Sequence, residues 1–251
     1  MDPSQVAGFG ILLVRPGALV VAAPGFGGTY APALFKIGLT VFLAVVLGSV
    51  ARLPNDFGAS GVTVVIAREA AIGLSIAFGL RVLIGAAELA GYLAGLQIGF
   101  TYATVADPQT GARNNVLSSL YGLLVLVVFF ATDGHHDFLR ALAMSYEALP
   151  IGAGGFDGPL PGLVARLLGI VFGVGAQIAA PVVVVLLLVE LALGLLSRAA
   201  PSFNLMVQGF SLRIIAGLLT LAVTLRVIPL AVRDGLPAVL ELGARLAETF
   251  R

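Results

Sequence analysis

The chain has 251 residues, of which 59% are hydrophobic and 11% are charged, and its mean hydropathy is +1.06. A soluble domain is roughly 25% charged, so this composition excludes an ordinary hydrated surface and predicts a protein that crosses a membrane several times. The net charge of +1 argues against nucleic-acid binding, and the lack of cysteine excludes disulfides and thiolate metal sites. Because the first residues carry no basic leader, no cleavable signal peptide is expected.

Apolar runs predict helices along the chain, and their lengths argue against strands. The first run covers 6–23 and is expected to break at Arg15-Pro16-Gly17, and the second covers 34–50. The third covers 62–98, whereas about 20 residues are enough to cross the hydrocarbon of a bilayer. This third element must therefore tilt, break or lie largely inside protein.

Small residues recur at every fourth position near the end of the third element: Ala87, Gly91, Gly95 and Gly99. This spacing puts them in one row on a helix, where they let another backbone approach closely. The helix cannot continue through Asp107-Pro108 and Gly111, which are turn residues. Irregular backbone between apolar helices is tolerated only where protein or a water-filled passage surrounds it. The loop is therefore the first candidate functional segment.

A fourth apolar run covers 116–131, followed by a polar turn at 133–137 and a short amphipathic helix at 138–149. The turn holds Asp133, His135, His136 and Asp137, which is a set of possible metal ligands. Adjacent histidines do not share a helix face, and no other ligand cluster exists in the sequence, so a solvated turn is favoured over a metal site.

A stretch rich in glycine and proline at 151–161 is the best internal boundary. Beyond it, the runs 163–196 and 205–232 predict two helices joined by a turn at 197–204, with a kink at Pro181 in the first. The segment 237–251 predicts a C-terminal helix with a polar face.

Four charged residues fall within the apolar helices, where charges usually face protein or water: Arg81, Glu88, Glu190 and Arg213. Glu190 and Arg213 are almost equally far from Ser202 in the middle of the turn, so an antiparallel hairpin would bring them to the same depth. We therefore predict that these two form a pair or share a polar layer. Its role is either a proton relay or ion site, or a structural pair that fixes the register of the hairpin, as buried ion pairs are best known to do.

No sequence pattern supports catalysis, since G-x-S-x-G, H-E-x-x-H and a phosphate-binding loop are all missing from the sequence. A secondary transporter would more typically show matching broken helices in two halves. The residues themselves favour a scaffold or a channel-lining subunit.

Four blocks, taken in order, resemble the FliR family, the R subunit of the flagellar type III protein-export gate. The blocks are Gly91-x-x-x-Gly95-x-Gln97-x-Gly99-Phe100 with Ala103-Thr104 and Asp107-Pro108; Gly134-His135 with Leu149-Pro150-Ile151-Gly152; Leu191 to Ser197 with Arg198-x-x-Pro201-x-x-Asn204 and Gly209-Phe210; and, more weakly, Pro32-x-x-x-Lys36-x-Gly38-Leu39. Asp133 departs from the asparagine more usual in the family. Virulence-injectisome relatives share the third block, but their central region differs, so the flagellar branch is favoured.

The resemblance implies an all-α, polytopic integral membrane protein of long, tilted helical hairpins that is not an enzyme and needs no cofactor. Family members act with the P and Q subunits, and with the B subunit and other export-apparatus proteins, in the bacterial inner membrane at the flagellar basal body. Their cargo is unfolded flagellar protein. Residues 1–150 would be P-subunit-like, 151–161 a linker, and 162–251 a Q-subunit-like hairpin with a C-terminal helix.

The resemblance also implies that the loop 98–114 plugs the export channel. Phe100, Tyr102 and Val105 would close it with apolar side chains, and Asp107-Pro108 would hold the turn. The row of Gly91, Gly95 and Gly99 would allow close packing of helices. A runner-up from another class is a small-solute or ion transporter that uses Glu88, Glu190 and Arg213.

Overall fold

The computed structural model describes residues 3–27, 31–49, 51, 61–100, 116–152, 160–199 and 205–248. These residues form nine helices and no strand, as the sequence predicts. The helices are α1 (Pro3–Leu12), α2 (Val14–Ala22), α3 (Ala33–Leu47), α4 (Gly61–Ile98), α5 (Val116–Ala131), α6 (Gly134–Ala148), α7 (Leu160–Ala199), α8 (Leu205–Thr224) and α9 (Val227–Glu248).

The first apolar run breaks at Leu13 and not at Arg15-Pro16-Gly17, so the predicted position was wrong by two residues. Pro16 lies in the first turn of α2, where the amide hydrogen that proline lacks would have had no helical partner. The amide of Gly17 donates to the carbonyl of Leu13 at 2.9 Å, so the helix continues through the proline.

The last apolar run breaks at Leu225–Arg226, although the sequence predicted one helix from 205 to 232. Pro229 accounts for the break, because it has no amide to offer the carbonyl of Leu225 and its ring would crowd that carbonyl. The C-terminal helix therefore begins at Val227, and Pro237, which was predicted to begin it, lies in its interior.

Both polar turns are shorter than the sequence suggests. Asp133 adopts a left-handed conformation, with φ of 57°, and α6 begins directly after it, so His135 to Asp137 are helical. An aspartate tolerates this conformation better than most residues. Residues 197–199 are also helical, as the last turn of α7, and the Ser197 hydroxyl donates to the carbonyl of Gly194 at 2.7 Å. The rest of that predicted turn, at 200–204, lies outside the described residues.

The glycine- and proline-rich boundary at 151–161 is described only in part. Its first two residues form a turn after α6, and its last two, Leu160 and Pro161, already belong to α7. Helix α7 runs on through Pro181 without ending there, while the predicted kink stays a prediction.

Two described helices are long and apolar enough to cross a membrane: α4 and the Leu168–Ala199 part of α7. The number rises to four if each of two bent helix pairs, α5 with α6 and α8 with α9, makes one span. The protein is thus an all-α, polytopic membrane protein. Helix α4 is a single unbroken helix whose most apolar stretch is 61% buried within the chain, so it lies largely inside protein, one of the arrangements that its length predicted.

The chain divides into two compact units. Unit 1 comprises 1–82, 129–166 and 235–251, and its core contains Phe129 and Phe138, whose rings meet edge to face at 6.3 Å. A Cβ on Gly134 would come within 2.6 Å of the Phe129 ring, so only glycine fits at the start of α6. Aromatic side chains therefore form part of the packed core of unit 1.

Unit 2 comprises 83–128 and 167–234, and the C-terminal half of α4 is its centre. Its buried residues include Ala86, Ala90 and Ala94 on α4 and Leu186 on α7. These two units are defined by contacts within the chain. The division predicted at 151–161 is of another kind, because it separates a part that resembles a P subunit from a part that resembles a Q subunit. That division stays a prediction.

Candidate functional site

The glycine row on α4 allows close packing at Gly91. A Cβ at this position would overlap the carbonyl of Leu117 and would come within 2.8 Å of the Cα of Ser118, so the backbone of α5 lies directly against α4. The Ser118 hydroxyl donates to the carbonyl of Glu88 at 2.8 Å and holds the two helices together at the same level. Ala87 and Gly95 are buried as well.

Gly99 has a different role from the other glycines of the row: it ends the helix. Its position in the row did not indicate this role. It lies one residue past the end of α4 with φ of 99°, a conformation that strongly favours glycine. The amides of Gly99 and Phe100 both donate to the carbonyl of Gly95, at 3.1 and 3.0 Å. This is the usual glycine-terminated end of a helix, and it fixes where the predicted plug loop leaves α4.

Two further helices of unit 2 pack against the last third of α4, and only α8 reaches its final residue. A Cβ on Gly175 of α7 would lie 2.8 Å from the carbonyl of Ala86, and one on Gly217 of α8 would lie 2.8 Å from Cδ1 of Ile98. Helices α5, α7 and α8 therefore all contact the C-terminal part of α4. The loop follows a helix whose last third is packed on several sides.

The predicted plug residues are described only at the first position. Phe100 is half-buried at the end of α4. Tyr102, Val105, Asp107 and Pro108 lie outside the described residues, and so do the motif residues Pro201 and Asn204. Arg198 is exposed in the last turn of α7.

Gln97, another residue of the central block, borders an apolar groove between α4 and α7. The groove has a volume of about 480 Å³, and its other lining residues are Leu93 and Leu96 of α4 and Ala176, Ala179, Ala180, Val183 and Val184 of α7. Gln97 is the only polar side chain among the lining residues.

Glu190 and Arg213 form the pair that the sequence predicts. Nη2 of Arg213 lies 3.5 Å from Oε1 of Glu190. An independent contact gives the same antiparallel register, because a Cβ on Gly209 would lie 3.3 Å from Cδ1 of Leu193. The side chains are not buried by this chain, however: 35% of Glu190 and 38% of Arg213 are exposed, and Glu88 is exposed too. The role of the pair stays a prediction.

Among the residues that the structure describes, the buried charges are instead Arg15, Arg68 and Glu69, in unit 1. Nε and Nη2 of Arg15 donate to the two carboxylate oxygens of Glu69, at 2.8 and 3.2 Å, and the side chains are 0% and 2% exposed. This two-pronged arrangement is the strongest form of an arginine–carboxylate pair. It joins α2 to α4 across 54 residues of sequence.

Arg15 also contacts α6 and the turn after it. Nη1 donates to the Ser145 hydroxyl at 3.0 Å, Nη2 donates to the carbonyl of Leu149 at 2.9 Å, and the guanidinium lies 4.1 Å from the centre of the Tyr146 ring. A Cβ on Gly73 would overlap the carbonyl of Arg15, so α2 lies directly against α4 at this level. The sequence argument missed this cluster because it assigned Arg15 to a break. The sequence did contain one signal: Arg15 is a charged residue in an apolar run with no oppositely charged residue near it in sequence, so it needs a partner from elsewhere in the chain.

A second buried polar contact that the sequence did not indicate lies in unit 2. The hydroxyls of Tyr121 and Thr224 are 3.1 Å apart, both side chains are buried, and Thr224 donates to the carbonyl of Leu221 at 2.8 Å. Thr224 is therefore the acceptor for Tyr121, and the bond ties α5 to the last turn of α8.

Asp133, His135 and His136 lie closer together than the sequence argument allowed. One possible ligand atom of each lies within 4.8 Å of the others, and the two imidazole rings are 4.2 Å apart. Nδ1 of His136 is 3.5 Å from Oδ1 of Asp133, and these two side chains are mostly exposed. The cluster sits at a helix N-terminus, whose positive polarity disfavours a cation. His135 and His136 therefore lie in the first turn of α6 and not in a loop, and the expectation that they hold no metal stays a prediction.

Comparison with known proteins identifies the chain's relatives. Residues 6–237 match the model of the family described as bacterial export proteins, family 1. The flagellar biosynthetic protein FliR of Pectobacterium carotovorum is 33% identical over 218 residues, covering 86% of this chain and 83% of its own. FliR of Bacillus subtilis is 31% identical over 230 residues, covering 90% of this chain and 89% of its own.

A more distant relative comes from another secretion system. The secretion system apparatus protein SsaT of Salmonella typhimurium is 29% identical over 157 residues, covering 62% of this chain and 61% of its own. The resemblance seen in the four sequence blocks is thus confirmed. The chain belongs to family 1 of the bacterial export proteins, as a non-enzymatic membrane subunit of a flagellar export apparatus.

Proposed function

We propose that this chain lines and closes the channel through which unfolded flagellar proteins cross the bacterial inner membrane. In this proposal it acts with P and Q subunits of the export gate, and the loop 98–114 is the plug. Residues 1–150 form the part that resembles a P subunit, and residues 162–251 form the helical hairpin that resembles a Q subunit.

One observation carries most of the proposal. The loop leaves α4 at a glycine-terminated end, α8 packs against the last residue of that helix, Ile98, and α5 and α7 pack against it further back, at Gly91 and Ala86. A closing segment needs a fixed attachment, because otherwise its position in the channel would be undefined. Irregular backbone at membrane depth also needs surrounding protein or water, which a closed channel supplies.

The proposal is tested by ion leakage in cells that express this chain with its P and Q partners. Shortening 98–114, or changing Phe100 and Tyr102 to alanine, is expected to open an ion leak. The matched control is Phe172→Ala, which removes an aromatic side chain that is 61% exposed on α7, far from the loop in sequence. No leak from the loop variants, with the complex assembled at the normal level, would contradict the plug.

A further inference from the structure

Glu88 belongs to a row of exposed side chains on α4. Glu88, Tyr92 and Leu96 are spaced four residues apart, so they share one face of the helix, and all three are exposed. We call these three residues the α4 row. The row runs toward Ile98, where α4 ends and the loop 98–114 follows.

Two helices of unit 2 border the α4 row. The backbone of α5 lies against Gly91, and α7 lies against Ala86, which is on a different face of α4. The side chain of Glu88 leans on α5 where that helix has a glycine: a Cβ on Gly122 would come within 3.0 Å of Oε1 of Glu88 and 3.1 Å of its Cγ. Gly122 therefore leaves room for the carboxylate beside α5.

Glu88 lies at a depth where the protein is apolar. Gly175, which packs against Ala86, is seven residues inside the apolar Leu168–Ala199 segment of α7. At 1.5 Å per residue, Ala86 is therefore about 10 Å inside that segment. Glu88 lies within one turn of Ala86 and hence at a similar depth, where a charge in lipid is costly and charged side chains face protein or water.

The described part of the chain provides no partner for the carboxylate. None of its basic residues forms an ion pair with Glu88. The Ser118 hydroxyl donates to the main-chain carbonyl of Glu88 and not to its carboxylate. Water is the simplest partner for a carboxylate in this situation. Because the α4 row leads to the loop that is proposed to plug the channel, the channel is the source of that water.

We propose that Glu88 faces the water of the export channel next to the loop 98–114 and makes the open channel select cations over anions. An acidic side chain at a pore raises the local concentration of cations and repels anions. This inference rests on the proposed function, because it requires a channel that the loop closes. It adds which ions pass when the loop is open and which side chain decides this.

The first test measures the ion selectivity of a channel that is opened by shortening 98–114. The complex with P and Q subunits is reconstituted into liposomes, and the reversal potential in a potassium chloride gradient gives the ratio of potassium to chloride permeability. Glu88→Gln is expected to lower this ratio about fivefold, which corresponds to the ~1 kcal/mol between two unit charges 4 Å apart in water. Glu88→Lys is expected to reverse the preference.

The matched control is Glu241→Gln, which removes one negative charge from an exposed pair with Arg245 on α9. It is expected to leave the permeability ratio unchanged. An unchanged ratio in both Glu88 variants would overturn this inference, while the leak itself would still support the proposed function. Absence of any leak from the shortened loop would instead contradict the proposed function.

A second test asks what covers Glu88 and does not depend on a leak. The chain has no cysteine, so in Glu88→Cys a membrane-impermeant thiol reagent can label this chain at one position only. Labelling is expected in the assembled complex with the shortened loop. Ala90→Cys, at a position that is 0% exposed, is the control and is expected to stay unlabelled. No labelling of Glu88→Cys would overturn the inference, because lipid or a neighbouring subunit would then cover this side chain.

Discussion

Two long-range ion pairs in the described part of the chain differ in how far the chain itself satisfies them. Arg15 and Glu69 are buried, two-pronged, and supplemented by Ser145 and the carbonyl of Leu149. Glu190 and Arg213 are joined by one long contact and remain more than a third exposed. A charge pair completed inside the chain stabilises a folded unit, whereas an exposed pair contributes little to stability. The first pair is thus satisfied within the chain, whereas the second leaves Nε of Arg213 without a partner in the described residues.

The largest effect is expected when Arg15 is replaced. Arg15→Met removes the guanidinium that donates two hydrogen bonds to the buried carboxylate of Glu69, and breaking a buried pair of this kind costs about 3–5 kcal/mol. We expect loss of the folded chain from membranes, measured as yield and as the thermal unfolding temperature of the purified complex. Arg140→Gln is the control, because Arg140 pairs with Asp137 at the surface, where both side chains are mostly exposed.

The double replacement Arg15→Met with Glu69→Met sharpens this prediction. It removes both members of the pair and leaves Arg68 as the remaining buried charge of the cluster, so we expect it to be more stable than Arg15→Met alone. Equal stability of Arg15→Met and Arg140→Gln would contradict the view that the buried cluster holds unit 1 together.

A smaller effect is expected at Gly91. Gly91→Ala forces α5 away from α4, because the new Cβ meets the carbonyl of Leu117, and overpacking of this kind costs about 1–3 kcal/mol. Gly85→Ala on the same helix is the matched control, since a Cβ there meets nothing within 4 Å. Alanine is also the better helix former by up to about 1 kcal/mol. The thermal unfolding temperature should therefore fall for Gly91→Ala, whereas it should stay unchanged or rise for Gly85→Ala.

A still smaller effect is expected for Tyr121→Phe, which removes a single hydrogen bond. The change removes the hydroxyl that meets Thr224 and keeps the ring, so we expect a loss of about 1 kcal/mol. A double-mutant cycle with Thr224→Val isolates the bond. Additive losses in this cycle would mean that the two hydroxyls do not interact.

The smallest effect on the isolated chain is expected from Glu190→Gln and Arg213→Gln. Both side chains are more than a third exposed, so solvent screening keeps the stability change below about 1 kcal/mol. The thermal unfolding temperature of each variant is the measurement. A loss of chain stability as large as that of Arg15→Met would remove the contrast between the two pairs.

The sequence predicted one of these pairs and missed the other for a physical reason. Glu190 and Arg213 lie on neighbouring helices joined by a short turn, so counting residues from the turn fixes their depth. Arg15 and Glu69 are 54 residues apart, on helices that no local pattern brings together. Only the tertiary fold reveals that pair.

Helix ends show the same division between local and long-range information. The end of α4 at Ile98 was predictable because a glycine and a turn sequence follow it. The break before α9 was missed, although Pro229 signals it, because the apolar run continues through it. The tight contact at Gly91 was predictable from spacing, whereas its partner, the backbone at Leu117, was not.

The most direct test of the proposed function is photo-cross-linking to a flagellar substrate arrested during export. A photo-reactive amino acid at Tyr102 is expected to react with the arrested chain, because the loop 98–114 borders the path of the cargo in this account. The same group at Phe42, which is 63% exposed on α3, serves as the control and is expected to give no such adduct. Absence of an adduct from Tyr102, in cells where the substrate is arrested and the complex is assembled, would contradict the claim that this chain closes the channel.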